Sequence, residues 1–369
     1  MEENTVKIFI VLPSFDTGGA QQFVLNLCSF LVNKKIDVTV IALRRSKNQI
    51  YSKRFRGIGV NIIDFEKKRV SYSFFSLRQY IKSYKPNVVI STVHNVDLLL
   101  AITKFTLNKF KLVIRKASFP YKRGIREYFY HFDRIQNLIA DKIIVLTQEM
   151  YNYYIEKPGI DNSKIEIINN MVDKDNIYNM SLEEVEEEHL FNSNEFNLIS
   201  VGRLVFEKGY DILLRAFLEV KQEYKDIKLV IVGDGYEKEK LIKIIKENDI
   251  QDVYIIGFKQ NPYKYIARAD LFVLSSRFEG FPNVILEAIA CKTPVLATKC
   301  KTGPTEIITN RFDGFLVRAE DSKELKSMIK HIYENRNLLK KISDNASDTL
   351  SNYSVDIICQ RYLDSINKL

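Results

Sequence analysis

Two carboxylates, Glu279 and Glu287, stand eight residues apart in FEGFPNVILEA (278–288), an otherwise largely apolar stretch. An unpaired carboxylate buried in an apolar helix is costly and usually neutralises. The pair is therefore expected either to reach the surface by helical phase or to face a polar ligand. Pro282 suits the first turn of a helix, where its missing N–H would be unbonded anyway. The apolar run DLFVLSS (270–276) should then lead through RFEG into a helix starting near Pro282. Gly280 would let a ligand approach the backbone, and the N–H groups of Phe281, Asn283 and Val284 would point at an anion. Glu279 would lie in the loop and Glu287 about a turn and a half into the helix. A phosphate between them would have an acceptor on each side, one suited to ribose hydroxyls and the other to those of a transferred sugar.

Cations lie in a second loop of the same kind. In SVGRLVFEKGYDILLRAF (200–217), Arg203 and Lys208 fall between a strand pattern and a helix pattern. They are either two solvated side chains or a clamp on a diphosphate, with the Arg as a fork and the Lys as a point charge. IVGDGYEKEKL (231–241) has the same layout and brings Gly233 to its loop, but Lys238 replaces the third glycine of a dinucleotide fingerprint. In LPSFDTGGAQQFVLNL (12–27), Gly18 and Gly19 make a turn before a helix beginning near Ala20. Free N–H groups and the helix dipole there suit a phosphate or a sugar hydroxyl, although glycines also serve plain turn geometry. His94, in VVISTVHN (88–95), follows the end of another strand, where ligands bind in open α/β sheets. A lone histidine is more often structural.

The elements that would position these groups are short Val/Ile/Leu-rich runs alternating with amphipathic stretches. The first half offers strands over 6–12, 37–43, 87–92, 111–115, 142–146 and 164–168. The second half offers them over 196–202, 227–233, 252–257, 270–275, 293–298 and 314–317. Near-continuous apolar strands separated by helices indicate parallel sheets covered on both faces. Two such series predict two Rossmann-like, doubly wound α/β domains, over 1–170 and 196–350. The polar, acidic segment 171–195, with its EEVEEE run, is expected to be a linker. The amphipathic segment 351–369 is expected to form a C-terminal helix crossing back to the first domain.

With 369 residues the chain is too long for one ordinary core. Cys28, Cys291, Cys300 and Cys359 form no C-x-x-C pair, which argues against a zinc or disulfide framework and fits a reducing compartment. The acidic start and short first apolar run exclude a signal segment, and nothing reaches the roughly 18 apolar residues of a membrane span. A cytoplasmic protein is expected. The net charge of +9 is uneven, since residues 1–168 hold 27 Lys+Arg against 14 Asp+Glu. The first half should therefore face something anionic.

Taken in order, GGAQ (18–21), INNMVD (168–173), GRLVFEKG (202–209), VGDGYE (232–237) and FEGFPNVILEA (278–288) resemble the retaining glycosyltransferases of family four. That resemblance implies a GT-B fold, with two Rossmann-like domains facing an interdomain cleft. It implies a transferase that moves a sugar from a nucleotide sugar without a metal cofactor. Glu279 would hold donor-sugar hydroxyls, Glu287 the ribose, and Arg203 and Lys208 the diphosphate. Gly233, Phe258, Gly280, Phe281, Pro282, Asn283 and Val284 would line the donor, Gly18 and Gly19 would lie near phosphates or acceptor, and His94 near the reacting sugar. The D-x-D at Asp173 and Asp175 lies in the linker region. QNPYKYIARADLFVLSS (260–276) and KCKTGPTEII (299–308) are similar to bacterial members that extend lipid-linked oligosaccharides, which favours a UDP-sugar donor and a polyprenyl-diphosphate-linked saccharide acceptor.

Basic and aromatic residues mix in 72–85, 105–116 and 119–132. Together they suit an anionic membrane surface, with peripheral association at the inner face. The missing fingerprint counts against an oxidoreductase or epimerase. The absence of helix-turn-helix, zinc or RNA-recognition signatures counts against nucleic acid. A GDP-mannose-dependent enzyme and a non-catalytic sugar-nucleotide-binding protein stand as alternatives.

Overall fold

The structure, a computed structural model, describes residues 6–16, 18–48, 50–118, 129–157, 159–191 and 194–369. Of the stretch 119–132, the segment 119–128 lies outside the described residues. The chain divides into two compact units, Met1–Met171 with Val355–Leu369, and Val172–Ser354.

In the first unit, strands β1 (Lys7–Leu12), β2 (Asp37–Arg44), β3 (Asn61–Lys67), β4 (Val88–Ser91), β5 (Lys111–Lys116), β6 (Lys142–Val145) and β7 (Ile165–Ile167) form one parallel sheet. Their order is β3-β2-β1-β4-β5-β6-β7. Helices α1 (Gly19–Asn33), α2 (Ile50–Gly57), α3 (Phe74–Tyr84), α4 (His94–Leu107), α5 (Phe129–Ile139) and α6 (Gln148–Ile155) connect them. The central strands are continuous apolar runs because helices cover both faces. Only Lys7 of β1 is exposed and every residue of β4 is buried. The edge strand β3, NIIDFEK, is half-buried throughout its middle. It lacks an apolar run, and the reading of strands from apolar continuity passes over it.

The second unit opens with α7 (Lys174–Ser181), whose N-terminus is capped by Asp173 accepting the Asn176 N–H at 3.1 Å. The acidic run that follows keeps Glu183, Glu184, Glu186 and Glu188 exposed and buries Val185. It is also tied down, since the buried Tyr265 hydroxyl lies 2.6 Å from Oε2 of both Glu186 and Glu187. The parallel sheet of this unit comprises β8 (Phe196–Val201), β9 (Ile227–Val232), β10 (Val253–Ile255), β11 (Leu271–Leu274), β12 (Val295–Lys299) and β13 (Phe315–Arg318), in the order β10-β9-β8-β11-β12-β13. Helices α8 (Tyr210–Glu223), α9 (Lys238–Glu247), α10 (Tyr263–Ile266), α11 (Asn283–Ala290), α12 (Pro304–Ile307), α13 (Ser322–Glu334) and α14 (Asn337–Thr349) complete it.

The last helix, α15 (Val355–Asn367), returns to the first unit. Its apolar stripe of Ile358, Cys359, Tyr362 and Ile366 enters that unit's core, with the Tyr362 ring 5.3 Å from that of Phe23 on α1. All four cysteines are free and buried.

Candidate functional site

The order of the second sheet reverses between β8 and β11, so the loops leaving those strands diverge and open a crevice at their carboxyl ends. Arg203 and Lys208 lie in the loop after β8, and Glu279 to Pro282 in the loop from β11 into α11. The two loops are locked together. Gly209 (φ 64°) sits so close to β11 that a Cβ there would be 2.2 Å from the Ser275 carbonyl oxygen, while the Ser275 hydroxyl donates to Lys208 O at 3.0 Å. Arg277, nine-tenths buried, forks onto Asp211 at 2.8 and 2.7 Å and donates to Phe206 O at 2.9 Å.

Across this junction Lys208 Nζ donates to Glu279 Oε1 at 2.6 Å. The Ser276 hydroxyl donates to the same oxygen at 2.6 Å, and the Thr302 hydroxyl donates to the Glu279 carbonyl oxygen. The Glu279 side chain is 9% exposed and that of Lys208 19%, so the pair is largely shielded while the ammonium keeps an open side. An ammonium has three donors. Arg203 is exposed, and its guanidinium makes no hydrogen bond or ion pair among the described residues.

Glu287, five residues into α11, is half-buried, and its carboxylate accepts no hydrogen bond among the described residues. Loss of water pushes its pKa up to about 7, with the attraction of Lys208 offsetting part of the rise. Both glutamates thus lean on one lysine. At the helix start, Pro282 takes the cap position, and the Asn283 N–H is bonded to Phe281 O at 3.0 Å. The N–H groups of Phe281 and Val284 make no hydrogen bond among the described residues.

Gly233 borders this group for a packing reason. At φ 152°, a Cβ there would be 1.8 Å from the Gly202 carbonyl oxygen, so the loops after β8 and β9 meet backbone to backbone. Phe258 is 72% exposed after β10, three strands from β11 in the sheet order. Ser276, Thr302 and the Arg277–Asp211 fork escaped the sequence reading. Their only signal was adjacency to the motif residues, and the pairing of Arg277 with Asp211 spans 66 positions.

In the first unit the sheet reverses between β1 and β4. Gly18 and His94 stand at the carboxyl ends of those two strands, Gly18 just before α1 and His94 opening α4. Gly18 is extended (φ 171°), and an added Cβ would meet only the flexible Gln21 side chain at 2.8 Å, while Gly19 has open space. His94 is exposed, with Nδ1 3.2 Å from Gln136 Nε2. Below it Asp97, wholly buried, accepts from Ser91 at 2.5 Å and from Lys116 at 3.0 Å.

Two reversing parallel sheets, each with its polar loops at the carboxyl ends of its strands, make up the GT-B fold. The chain superposes on the Anabaena protein HepE in complex with UDP with a TM-score of 0.83, over 99% of this chain and 100% of that one, at 20% identity. The family model "Glycosyltransferase Family 4" matches residues 17–176. The model "Glycosyl transferases group 1" matches residues 182–349. The chain is thus built from these two glycosyltransferase domains. It is 34% identical to an uncharacterized glycosyltransferase of Methanocaldococcus jannaschii over 254 residues, which is 63% of this chain and 61% of that one. It is also similar to the N-acetylgalactosamine-N,N'-diacetylbacillosaminyl-diphospho-undecaprenol 4-alpha-N-acetylgalactosaminyltransferase of Campylobacter jejuni, with 28% identity over 92% of this chain and 93% of that one.

Proposed function

We propose that the chain is a retaining, metal-independent glycosyltransferase. It moves a hexosyl or N-acetylhexosaminyl unit from a UDP-sugar to a polyprenyl-diphosphate-linked saccharide, in the assembly of a surface polysaccharide or glycan. The observation that carries this reading is the Lys208–Glu279 pair at 2.6 Å, with the guanidinium of Arg203 and the carboxylate of Glu287 both without a hydrogen bond among the described residues. Such a set has an acceptor for sugar hydroxyls, an acceptor for ribose hydroxyls and two cations for a diphosphate.

Lys208 can keep Glu279 and still give a proton donor to a phosphate oxygen. Arg203 supplies the second charge, and the N–H groups of Phe281 and Val284 supply dipoles at the start of α11. Charge that develops on the leaving diphosphate is thereby matched by fixed donors, which is how such sites lower a barrier. That charge matching is what supports activity without a metal. The bond broken is from the anomeric carbon to the diphosphate oxygen, and the bond formed joins that carbon to the acceptor hydroxyl. The hydroxyl proton passes to the leaving phosphate oxygen. The Campylobacter relative's name specifies a diphospho-undecaprenol acceptor and an alpha linkage, and an alpha product is what retention gives from an alpha-configured donor. For the membrane side of this reading, the first 168 residues carry 27 Lys+Arg against 14 acids. Among the described residues no helix is long and apolar enough to cross a membrane. The enzyme then works peripherally at the cytoplasmic face of the cell membrane, where its acceptor is anchored.

A thermal-shift panel with UDP, GDP, ADP and their sugar conjugates, without added metal, tests the donor. A UDP-specific shift, weakened by about 1.5–3 kcal/mol of binding in Arg203→Ala, is the expected outcome. A GDP-specific shift would replace the donor by a GDP-sugar such as GDP-mannose, and no shift with any nucleotide would overturn the catalytic reading.

A further inference from the structure

Helices α3 and α4 lie side by side on the first unit, joined by Arg78 Nε donating to Thr106 Oγ1 at 3.3 Å. Helical spacing aligns Phe75, Arg78 and Lys82 on α3, and Ile102 and Phe105 on α4. The Arg78–Thr106 contact makes these two stripes neighbours. Phe75 is 80% exposed and Phe105 78%, the two most exposed large apolar side chains among the described residues. Isolated exposed apolar residues need no explanation, but two phenylalanines beside exposed Ile102 form a patch.

The charge around this patch is of one sign. Residues 67–111 contain nine Lys and Arg and a single acid, Asp97, which is wholly buried against Lys116. The outer side of both helices therefore presents cations and rings without a carboxylate. At the C-terminal ends of both helices lies a concavity of about 660 Å³, whose charged side chains are those of Lys85, Lys104, Lys109, Lys111 and Asp141. Lys104 is committed to Asp141 and to the Phe110 carbonyl oxygen. Lys85 and Lys109 make no ion pair among the described residues, and Lys111 approaches Asp141 only at 3.7 Å. The concavity sits at the amino ends of β4 and β5, the end of the sheet opposite Gly18 and His94. It is therefore separate from the loops that carry Gly18 and His94. Lysines after a helix C-terminus also complement its dipole, but that does not account for rings left in water on the same two helices.

We infer that the α3–α4 surface docks on an anionic phospholipid bilayer, with Phe75, Ile102 and Phe105 entering the interface and Lys82, Lys85 and Lys109 meeting headgroup phosphates. The lysine-lined concavity receives one such phosphate. This rests on the reading that the acceptor is lipid-linked, and it names the surface that would bring the enzyme to that lipid. A bilayer is favoured over an acidic protein because exposed rings on helices, with basic side chains beside them, are the pattern that seats at a headgroup boundary.

The test is cosedimentation of the full chain with phosphatidylglycerol vesicles and with phosphatidylcholine vesicles, at low and high salt. The wild type is expected to bind only the anionic vesicles and to be released by salt. Reversing Lys82, Lys85 and Lys109 to Glu should weaken binding by at least about 100-fold. Phe75→Ala with Phe105→Ala should weaken it at low salt, where the wild type is bound. Unchanged melting temperature and UDP-induced shift in both variants would show that the fold and donor site are intact. Wild-type binding that the variants retain would overturn this surface and leave the membrane reading standing. No vesicle binding by the wild type would overturn both, and binding to soluble polyglutamate in its place would point to an acidic protein partner.

Discussion

The two sheets reverse in the same way, yet the lysine–carboxylate pairs beside the two reversals differ in kind. In the first unit, Lys116 and Asp97 are 5% and 0% exposed, and a serine completes the carboxylate's bonding. In the second, Lys208 and Glu279 have a similar contact but remain 19% and 9% exposed, and Glu287 and Arg203 make no side-chain hydrogen bond among the described residues. A closed pair fixes a loop. An open pair leaves donors for something else. Two lysine–carboxylate pairs at the carboxyl ends of their sheets therefore have different chemistry, and what separates them is how far solvent, or a ligand, can reach the ammonium.

Breaking each pair separates the two roles. Lys116→Ala leaves Asp97 charged and buried without its partner, so a loss of about 3–5 kcal/mol in urea unfolding is expected. UDP binding by the folded fraction should be unchanged. Lys208→Ala should slow sugar transfer by about 100- to 1,000-fold, the scale of removing one donor from developing charge. Its destabilisation should be smaller than that of Lys116→Ala, because its pair is partly open. If Lys116→Ala abolished nucleotide binding, or Lys208→Ala left transfer intact, the distinction between a fixing pair and a working pair would fail.

The smallest effect sharpens the comparison through pH. Glu287 has its carboxyl pushed up to about 7 in the free protein, so the neutral form is favoured by folding. Its contribution to stability grows as pH falls from that value toward its unfolded range and is lost above it. Hydroxyl donors from a bound ribose favour the charged form, and the sign for ligand binding is the reverse. UDP affinity should therefore hold above pH 7 and weaken below it, by up to about tenfold per unit. Calorimetry in buffers of different ionisation heat should detect proton release near pH 7. Glu287→Gln should remove both the release and the part of the pH dependence that it causes.

Much of the architecture was legible because buried parallel strands write themselves as apolar runs, as KIFIVL, VVIS and LFVL do. Where a strand has one open edge the signal fails, and NIIDFEK shows the cause, since an edge position tolerates Asp64 and Glu66 within the strand. The spacing of the two glutamates around Pro282 was also legible, because a helix start has a local chemistry. That both would lean on Lys208 was not, for that contact crosses 71 positions and two loops. Glycines were the most ambiguous letters. Gly233 is required by a backbone approach to Gly202, whereas nothing packs above Gly19. The same residue type can mark a tight fit or an open space, and only the neighbours distinguish them.

The second unit begins and ends at one point. Val172 pairs with Ser354 in an isolated bridge, and its N–H donates to Tyr353 O at 2.8 Å. Topologically, it is a domain inserted between the body of the first unit and helix α15. This sets an order of completion during synthesis. All seven strands of the first sheet are made before the insert, but Ile358, Cys359, Tyr362 and Ile366, which fill that unit's core, follow it. At about 5–20 residues per second the ribosome takes many seconds to reach them. The insert can close its own core in that interval, and the unit begun first is the last to be sealed.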